Sequence, residues 1–569
     1  MTENRTVRKI ALILAGGVSL GSYEAGVLTE LLYALETLNA TAQQEERPRY
    51  VLDVMTGGSA GGLTAALVAQ IMLYDLAGRK GDLYRAWVKD IDLVKLLDKT
   101  DMPLNALFSK KAVQDIVYQY VVHKASAEPK NPASFAPRVL RLSLSLSNMH
   151  GIDYRIPYFS STSQEQKYLL STFFSDMARF TIHAAQLPSQ AEWQNIGEAA
   201  IASGTFPFAF QPHQLNRNAS DYPGSIYEEQ PELLHEKLCF IDGGLFDNEP
   251  LGEAISQAKE ADGGVLEPTR LFILVDPNLN TSLQQQSIAP EGSLQNQLKR
   301  ILTMIQGEST ARDWFRAHRT NTELEWRDQL VQILAQIIET IPPSQAQQIA
   351  ASLTTLTKTI IKGKRSLIGE QEYPDNSVRK ALGRTLAQHP LQDLYQTVKN
   401  RTDSEVQQEI FRNMVFVLNN ICDLQNKAEL RLALIGAEKS ELVGDQLYGF
   451  GGFFDETWRT YDFRIGREKA HELLPHILSL AGEYPKETDE NGQLHADYII
   501  PQEWRDTFPH MTIKHVNRNV LDALRQRVLE RADYLLEELH VARPVRWLLK
   551  RFYLKNKLEA FLEQSSVRL

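Results

Sequence analysis

Between Lys9 and about Asn278, short apolar runs alternate with segments whose apolar residues recur every three or four positions. The runs read KIALILAGG, YVLDVMTGG, RVLRLSLSLS, KLCFIDGG and RLFILVDPN, beginning at Lys9, Tyr50, Arg138, Lys237 and Arg270. Continuous Val, Ile and Leu runs separated by amphipathic helices indicate strands buried on both faces of a mostly parallel sheet. The predicted class is therefore α/β, a three-layer α/β/α domain over residues 1–285. In RVLRLSLSLS, Leu140, Leu142, Leu144 and Leu146 alternate with polar residues, which predicts one strand face toward solvent or a polar layer. Beyond about Pro290 the strand signals thin out. QLVQILAQIIETI, AQQIAASLTTLTKTIIKG and EIFRNMVFVLNNICDL carry helical spacing, so residues 286–569 are expected to form a mainly α-helical C-terminal region. ELRLALIGA, at 429–437, reads as a lone strand, and the polar stretches 126–137 and 215–232 read as surface loops.

Composition narrows the functional classes. The 569 residues are 43% hydrophobic and 23% charged, the balance of a globular chain. A net charge of -10 argues against a general nucleic-acid binder and requires any attraction to anionic membranes to be local. Cys239 and Cys422 are the two cysteines, too few for a disulfide framework or a thiolate zinc site, and a reducing cytoplasm is the expected location. The opening stretch MTENRTVRKIALILAGG resembles a leader peptide in outline. Its apolar run is short, however, and ends in glycines that belong to a later pattern, so it reads as a first strand. With no apolar stretch near the roughly 20 residues that span a bilayer, the expected membrane contact is at most peripheral.

Two glycine-rich turns carry the candidate chemistry. In GGVSLG the turn of Gly16, Gly17 and Val18 joins a strand to a helix, where unpaired backbone N–H groups face outward and favour an anion. The glycine spacing is not that of a dinucleotide fingerprint, and no Gly-Lys-Ser/Thr ending follows. In GGSAGG, Gly57-Gly58-Ser59-Ala60-Gly61 has the form G-x-S-x-G between a strand and a small-residue helix, the setting of a nucleophile elbow. A plain turn with a helix-capping serine would read the same way. A serine attacking an ester needs donors for the oxyanion, which the first turn offers from a neighbouring strand end. It also needs a base. His318, His389, His471, His476, His495, His510, His515 and His540 follow in the helical half, mostly on amphipathic patterns that suit packed or surface roles. Asp242 instead ends an apolar strand and is followed by two glycines, where a carboxylate could meet Ser59.

The ordered set AGGVSLGSYEAG, GGSAGG and IDGGLFDNEP resembles the patatin-like phospholipase family, whose members hydrolyse acyl esters of lipids with a Ser–Asp dyad. EAAIASGTFPFAFQP, at 198–212, is similar to the family's stretch between nucleophile and aspartate, and the likeness covers about residues 7–280. The resemblance implies Ser59 as nucleophile, Asp242 as its base, Gly16, Gly17 and Val18 as oxyanion donors, and Gly57 and Gly61 as the elbow glycines. Asn248 and Pro250 fall at positions that shape the loop. The implied activity is hydrolysis of carboxylic esters in phospholipids, lysophospholipids or glycerolipids through an acyl-enzyme, with no cofactor, metal or nucleic acid. The sequence departs from the family where a third glycine and a basic residue are usual: Val18 and Leu20 stand there. Valine resists positive φ, so such a conformation at 18 would strain or reshape the loop. These departures motivate the alternative of a catalytically weak patatin-fold module that binds a lipid or protein.

The helical half adds two features. LYGFGGFFDETWRTYDFRIGREKAHELL, at 447–474, is similar to a segment of larger bacterial patatin-related proteins with long C-terminal extensions. There Asp455 and Arg459 are spaced to pair on a helix, with Trp458 facing a core. RPVRWLLKRFYLKNK, at 543–557, interleaves basic and aromatic residues without an acid. It suits either peripheral membrane contact or a terminal helix docked on the acidic body.

Overall fold

The computed structural model of the protein describes residues 7–98, 105–126, 129, 131–159, 166–279, 294–367, 382, 385–386, 391–402, 404–424, 427, 429–438, 441–445, 449–479, 484–488, 491–495, 498–511 and 515–549. Strand β1 (Val7–Leu14) leads through the first glycine turn into α1 (Gly21–Thr41). β2 (Arg49–Gly57) then leads through the second into α2 (Ala60–Tyr74). A long hairpin of β3 (Val139–Phe159) and β4 (Gln166–His183) is followed by α3 (Gln190–Ser203), β5 (His213–Asn216), β6 (Lys237–Asp242) and β7 (Leu271–Leu279). Among the described residues the helices α4 (Leu294–Glu339), α5 (Pro343–Leu367), α6 (Leu391–Arg401) and α7 (Glu405–Ile421) come next. The chain then passes through β8 (Arg431–Glu438), α8 (Glu456–Ile477), α9 (Arg518–Glu538) and α10 (Arg543–Leu548).

The eight strands form one sheet in the order β5-β6-β3-β2-β1-β7-β8, with β4 pairing off β3. β1 lies parallel to β2 and β7, and β2 lies parallel to β3. All five strands read from apolar runs are present. β4 and β5 went unread: in β4 three large side chains in a row, Tyr168, Leu169 and Leu170, are exposed, so neither a buried run nor an alternation shows. The strand expected alone at 429–437 instead joins the sheet beside β7. Within β3 both faces are covered. Leu140, Leu142, Leu144 and Leu146 are buried, and so are Ser143, Ser145 and Ser147, which make the polar side a buried layer with no solvent face.

The chain divides into two compact units: residues 1–257, 271–311 and 432–569, and residues 258–270 and 312–431. A single boundary at 285 does not coincide with this division, because described residues between Ile435 and Leu524 share the core of the first unit. Ile435, Trp458, Tyr461 and Phe463 are buried in the same cluster as Leu12, Leu28 and Leu144. Helices α1 and α8 approach backbone to backbone. A Cβ on Gly26 would fall 1.9 Å from the Phe463 carbonyl oxygen, and one on Gly466 2.2 Å from that of Tyr23. The same contact buries Glu30, which accepts from Arg467 (3.1 Å) and Tyr484 (2.9 Å) and lies 3.1 Å from His471 Nδ1. Burial alone would raise the Glu30 pKa, but the His471 hydrogen bond, the Arg467 charge and the tyrosine hydroxyls outweigh it and hold the carboxyl below the usual range. The second unit has a helical core of its own, with Val331, Ile338, Leu391, Val398, Ile410, Phe411 and Val415 buried together. Among the described residues, no helix is long and apolar enough to cross a membrane.

Candidate active site

The carboxyl ends of the parallel strands bring the two glycine turns together. β2 ends at Gly57, and Ser59 follows with φ 51° and ψ -121°, a conformation that costs a non-glycine residue about 1–3 kcal/mol. The elbow glycines are required by space. A Cβ on Gly57 would lie 2.4 Å from the Gly61 carbonyl oxygen, and one on Gly61 2.4 Å from that of Leu14. Ser59 does not cap α2 with its side chain. Its Oγ donates instead to Asp242 Oδ2 at 2.6 Å, and its N–H donates to Ser203 Oγ at 3.0 Å.

β6 delivers the carboxylate. Its antiparallel pairing with β3 sets Asp242 opposite Leu146, with β3 as the one strand between β6 and β2. The Asp242 main chain is held on both sides: its N–H donates to the Thr205 carbonyl at 2.8 Å, and its carbonyl accepts from Ser147 Oγ at 2.7 Å. The second carboxyl oxygen, Oδ1, accepts from the Gly244 N–H at 2.7 Å. Burial pushes the Asp242 pKa up to about 7, against the hydrogen bonds from Ser59 and Gly244 that lower it. A buried carboxyl of this pKa, 2.6 Å from a serine hydroxyl, has the geometry and basicity to accept that proton near neutral pH. Among the described residues no histidine is bonded to Ser59 or Asp242. His471, one of those in the helical half, packs on Glu30.

The first glycine turn sits directly against the serine, since a Cβ on Gly16 would lie 2.8 Å from Ser59 Cβ. Gly16, expected as one of three oxyanion donors, has its N–H committed to the Asn248 carbonyl at 3.0 Å, and Asn248 Nδ2 returns a bond to the Gly16 carbonyl at 3.3 Å. Asn248 thus fixes the loop, as its position in the sequence suggested. The Ser19 N–H donates to the Gly449 carbonyl at 2.9 Å and that of Leu20 to the Gly17 carbonyl at 2.9 Å. Among the described residues this leaves the N–H groups of Gly17 and Val18 as the uncommitted donors of the turn. Val18 has φ 55°, the conformation that a β-branched residue resists.

Ser203 and Thr205, which brace the pair, lie within the EAAIASGTFP stretch, whose sequence pattern assigns a role to neither. The 447–474 segment is arranged differently from the expected ion pair. Asp455 caps α8, accepting from the Thr457 N–H at 2.7 Å, because its extended backbone turns the carboxylate onto the first helical turn. Arg459 is buried and donates to two carbonyls, Val88 at 2.9 Å and Gly452 at 2.8 Å. Trp458 is buried, as its spacing suggested. Of the basic segment 543–557, residues 550–557 lie outside the described residues. Arg546 is buried and pairs with Glu537 at 2.9 Å, whereas Trp547 is exposed. Among the described residues no group of three His, Cys, Asp or Glu side chains is placed to hold a metal ion.

Fold and site define an α/β protein that presents a strained serine, hydrogen-bonded to a buried aspartate, at the carboxyl edge of its sheet. The family model described as patatin-like phospholipase matches residues 12–255, so over that stretch the chain is similar to patatin-like phospholipases, a family of lipid acyl hydrolases. An uncharacterized protein of Sinorhizobium fredii, y4iI, is 25% identical to this chain in an alignment covering 42% of this chain and 44% of the relative. The chain therefore spans less than half the length of that relative.

Proposed function

We propose that the protein hydrolyses carboxylic ester bonds of phospholipids, lysophospholipids or glycerolipids, with Ser59 as nucleophile and Asp242 as general base. Asp242 Oδ2 takes the hydroxyl proton as Ser59 Oγ bonds to the ester carbonyl carbon. The resulting oxyanion accepts hydrogen bonds from the N–H groups of Gly17 and Val18. Collapse expels the alkoxide, which takes the proton from Asp242, and leaves an acyl group on Ser59. Water deprotonated by Asp242 then attacks the acyl carbon, releasing a fatty acid and returning the proton to Ser59.

The observation that carries this reading is the 2.6 Å hydrogen bond from the Ser59 hydroxyl to Asp242. It spends the serine on the carboxylate instead of on the helix cap that the alternative reading of the turn required. The test is fatty-acid release from mixed phospholipid and glycerolipid vesicles by the wild type, Ser59→Ala and Asp242→Asn, each first shown to melt as a folded protein. Release by the wild type and a loss of about 10³-fold or more in both variants is the expected result. A wild type that releases no fatty acid and whose Ser59 resists a fluorophosphonate would sink the proposal.

A further inference from the structure

Val18 carries the second of the two proposed oxyanion donors in a conformation that valine avoids, φ 55°, so something outside the turn must hold it there. The contacts that do so come from residues 449–452, well beyond the stretch matched by the family model. Ser19 is completely buried. Its N–H donates to the Gly449 carbonyl at 2.9 Å, its Oγ donates to the same carbonyl, and that Oγ accepts from the Gly452 N–H at 3.0 Å. Gly449 has φ 83°, and a Cβ there would lie 3.0 Å from the Gly17 carbonyl oxygen and 3.4 Å from Val18 Cβ.

This short segment is itself tied down. Arg459 Nη1 donates to the Gly452 carbonyl at 2.8 Å while its Nε reaches the Val88 carbonyl at 2.9 Å. The Phe450 ring packs edge-on to Phe206 with centroids 5.6 Å apart, and against Phe108 at 5.8 Å. Phe206 directly follows Thr205, whose carbonyl holds the Asp242 N–H. The segment is thus referenced both to the α8 scaffold and to the strand that carries the carboxylate.

We infer that Ser19 is a positioning residue and that residues 449–452 form a clamp which keeps Val18 at positive φ, and so keeps the Gly17 and Val18 N–H groups aimed at the ester oxygen beside Ser59. In this chain the clamp does by tertiary contact what a third glycine would do by local conformational freedom. The inference rests on the proposed hydrolase reading, which supplies the oxyanion that the loop serves. Loss of the Ser19 hydroxyl removes two of the three bonds to the clamp and lets Val18 relax toward negative φ, turning its N–H away. Asp242 and the Ser59–Asp242 bond are untouched by that change.

The experiment uses the full chain and two probes: the rate of Ser59 labelling by a fluorophosphonate, and kcat and KM for a p-nitrophenyl acyl ester. Ser19→Ala is expected to lower kcat and the labelling rate about tenfold or more, short of the roughly 10²–10³-fold cost of removing a donor outright because the Val18 N–H is misaimed and not lost, with KM changed less than about twofold. The pH profile should keep its midpoint, because the base is unchanged. Adding Val18→Gly to Ser19→Ala should restore at least about threefold of the lost rate, since glycine holds positive φ without the clamp. Gly449→Ala, which crowds the turn from the other side, should reproduce the kcat loss and covers the case in which Ser19→Ala does not fold. A folded Ser19→Ala protein that labels at the wild-type rate overturns the clamp and leaves the hydrolase reading intact, as does a loss that Val18→Gly fails to restore. A wild type with no labelling at Ser59 overturns both.

Discussion

At Asp242 the burial that makes the carboxylate a base also opposes folding. Its folded pKa of about 7 lies above the ordinary carboxylate value, so the folded chain retains a proton that the unfolded chain gives up. Between about pH 4 and pH 7 the folded state therefore binds more protons, and stability falls as pH rises through that window. Activity runs the other way, because the proposed base must be ionised. Below about pH 7, kcat/KM should rise about tenfold per pH unit and then level off. Asp242→Asn, which removes the charge and keeps the shape, should melt higher than the wild type at pH 8, with a smaller gap at pH 5. A flat rate profile between pH 5 and 8, or equal melting points at pH 8, would contradict this account of the residue. Glu24 shows the same physics beneath the oxyanion turn: fully buried and with Thr64 as its hydrogen-bond donor at 3.1 Å, its pKa is raised well above the carboxylate range, chiefly by desolvation.

At the scale of elements, the packing of α1 on α8 decides where the oxyanion turn sits. The turn enters α1 at Gly21, and α1 is held on α8 by close backbone approach at Gly26 and Gly466. Side chains cannot yield at these points, because what a Cβ would meet at 1.9 Å and 2.2 Å is main-chain oxygen. Gly466→Ala should therefore destabilise the protein by about 2–5 kcal/mol, the range of severe overpacking and backbone displacement, measured by denaturant melts. Its residual folded fraction should also show reduced Ser59 labelling, since the turn moves with α1. A Gly466→Ala protein as stable as the wild type would mean that the two helices slide apart freely. Glu30 shows why they should not: it ties α1 to Arg467 and His471 of α8 and to Tyr484 and Tyr498 beyond it.

At the scale of the whole molecule, the region matched by the family model shares its hydrophobic core with residues far beyond it. Residues 432–569 contribute Ile435, Phe453, Trp458, Tyr461 and Phe463 to the core of the first unit, and β8 covers the edge of β7. A chain cut to residues 1–285 would expose that apolar surface and an unpaired strand edge. It should fail to give a cooperative melt and should aggregate, as read by calorimetry and light scattering. A monomeric 1–285 fragment with a sharp transition and Ser59 labelling at the full rate would refute both the packing argument and the clamp on Ser19.

The amino-acid sequence by itself determined the parallel core strands, the two glycine turns and the identity of the Ser59 and Asp242 candidates. Each of these is written in local chemistry: continuous apolar runs, glycines where no Cβ fits, and a carboxylate at the end of a strand. The strand at 431–438 was legible as a strand but not as the eighth member of the sheet, because pairing depends on partners more than a hundred residues away. Likewise no local pattern could show that Gly16 spends its N–H on Asn248 or that Asp455 caps a helix instead of pairing with Arg459. Only the tertiary structure decided how a valine is held where the turn favours glycine. That answer lies in contacts between residues 17–19 and 449–452, which a separation of about 430 positions hides from any local reading.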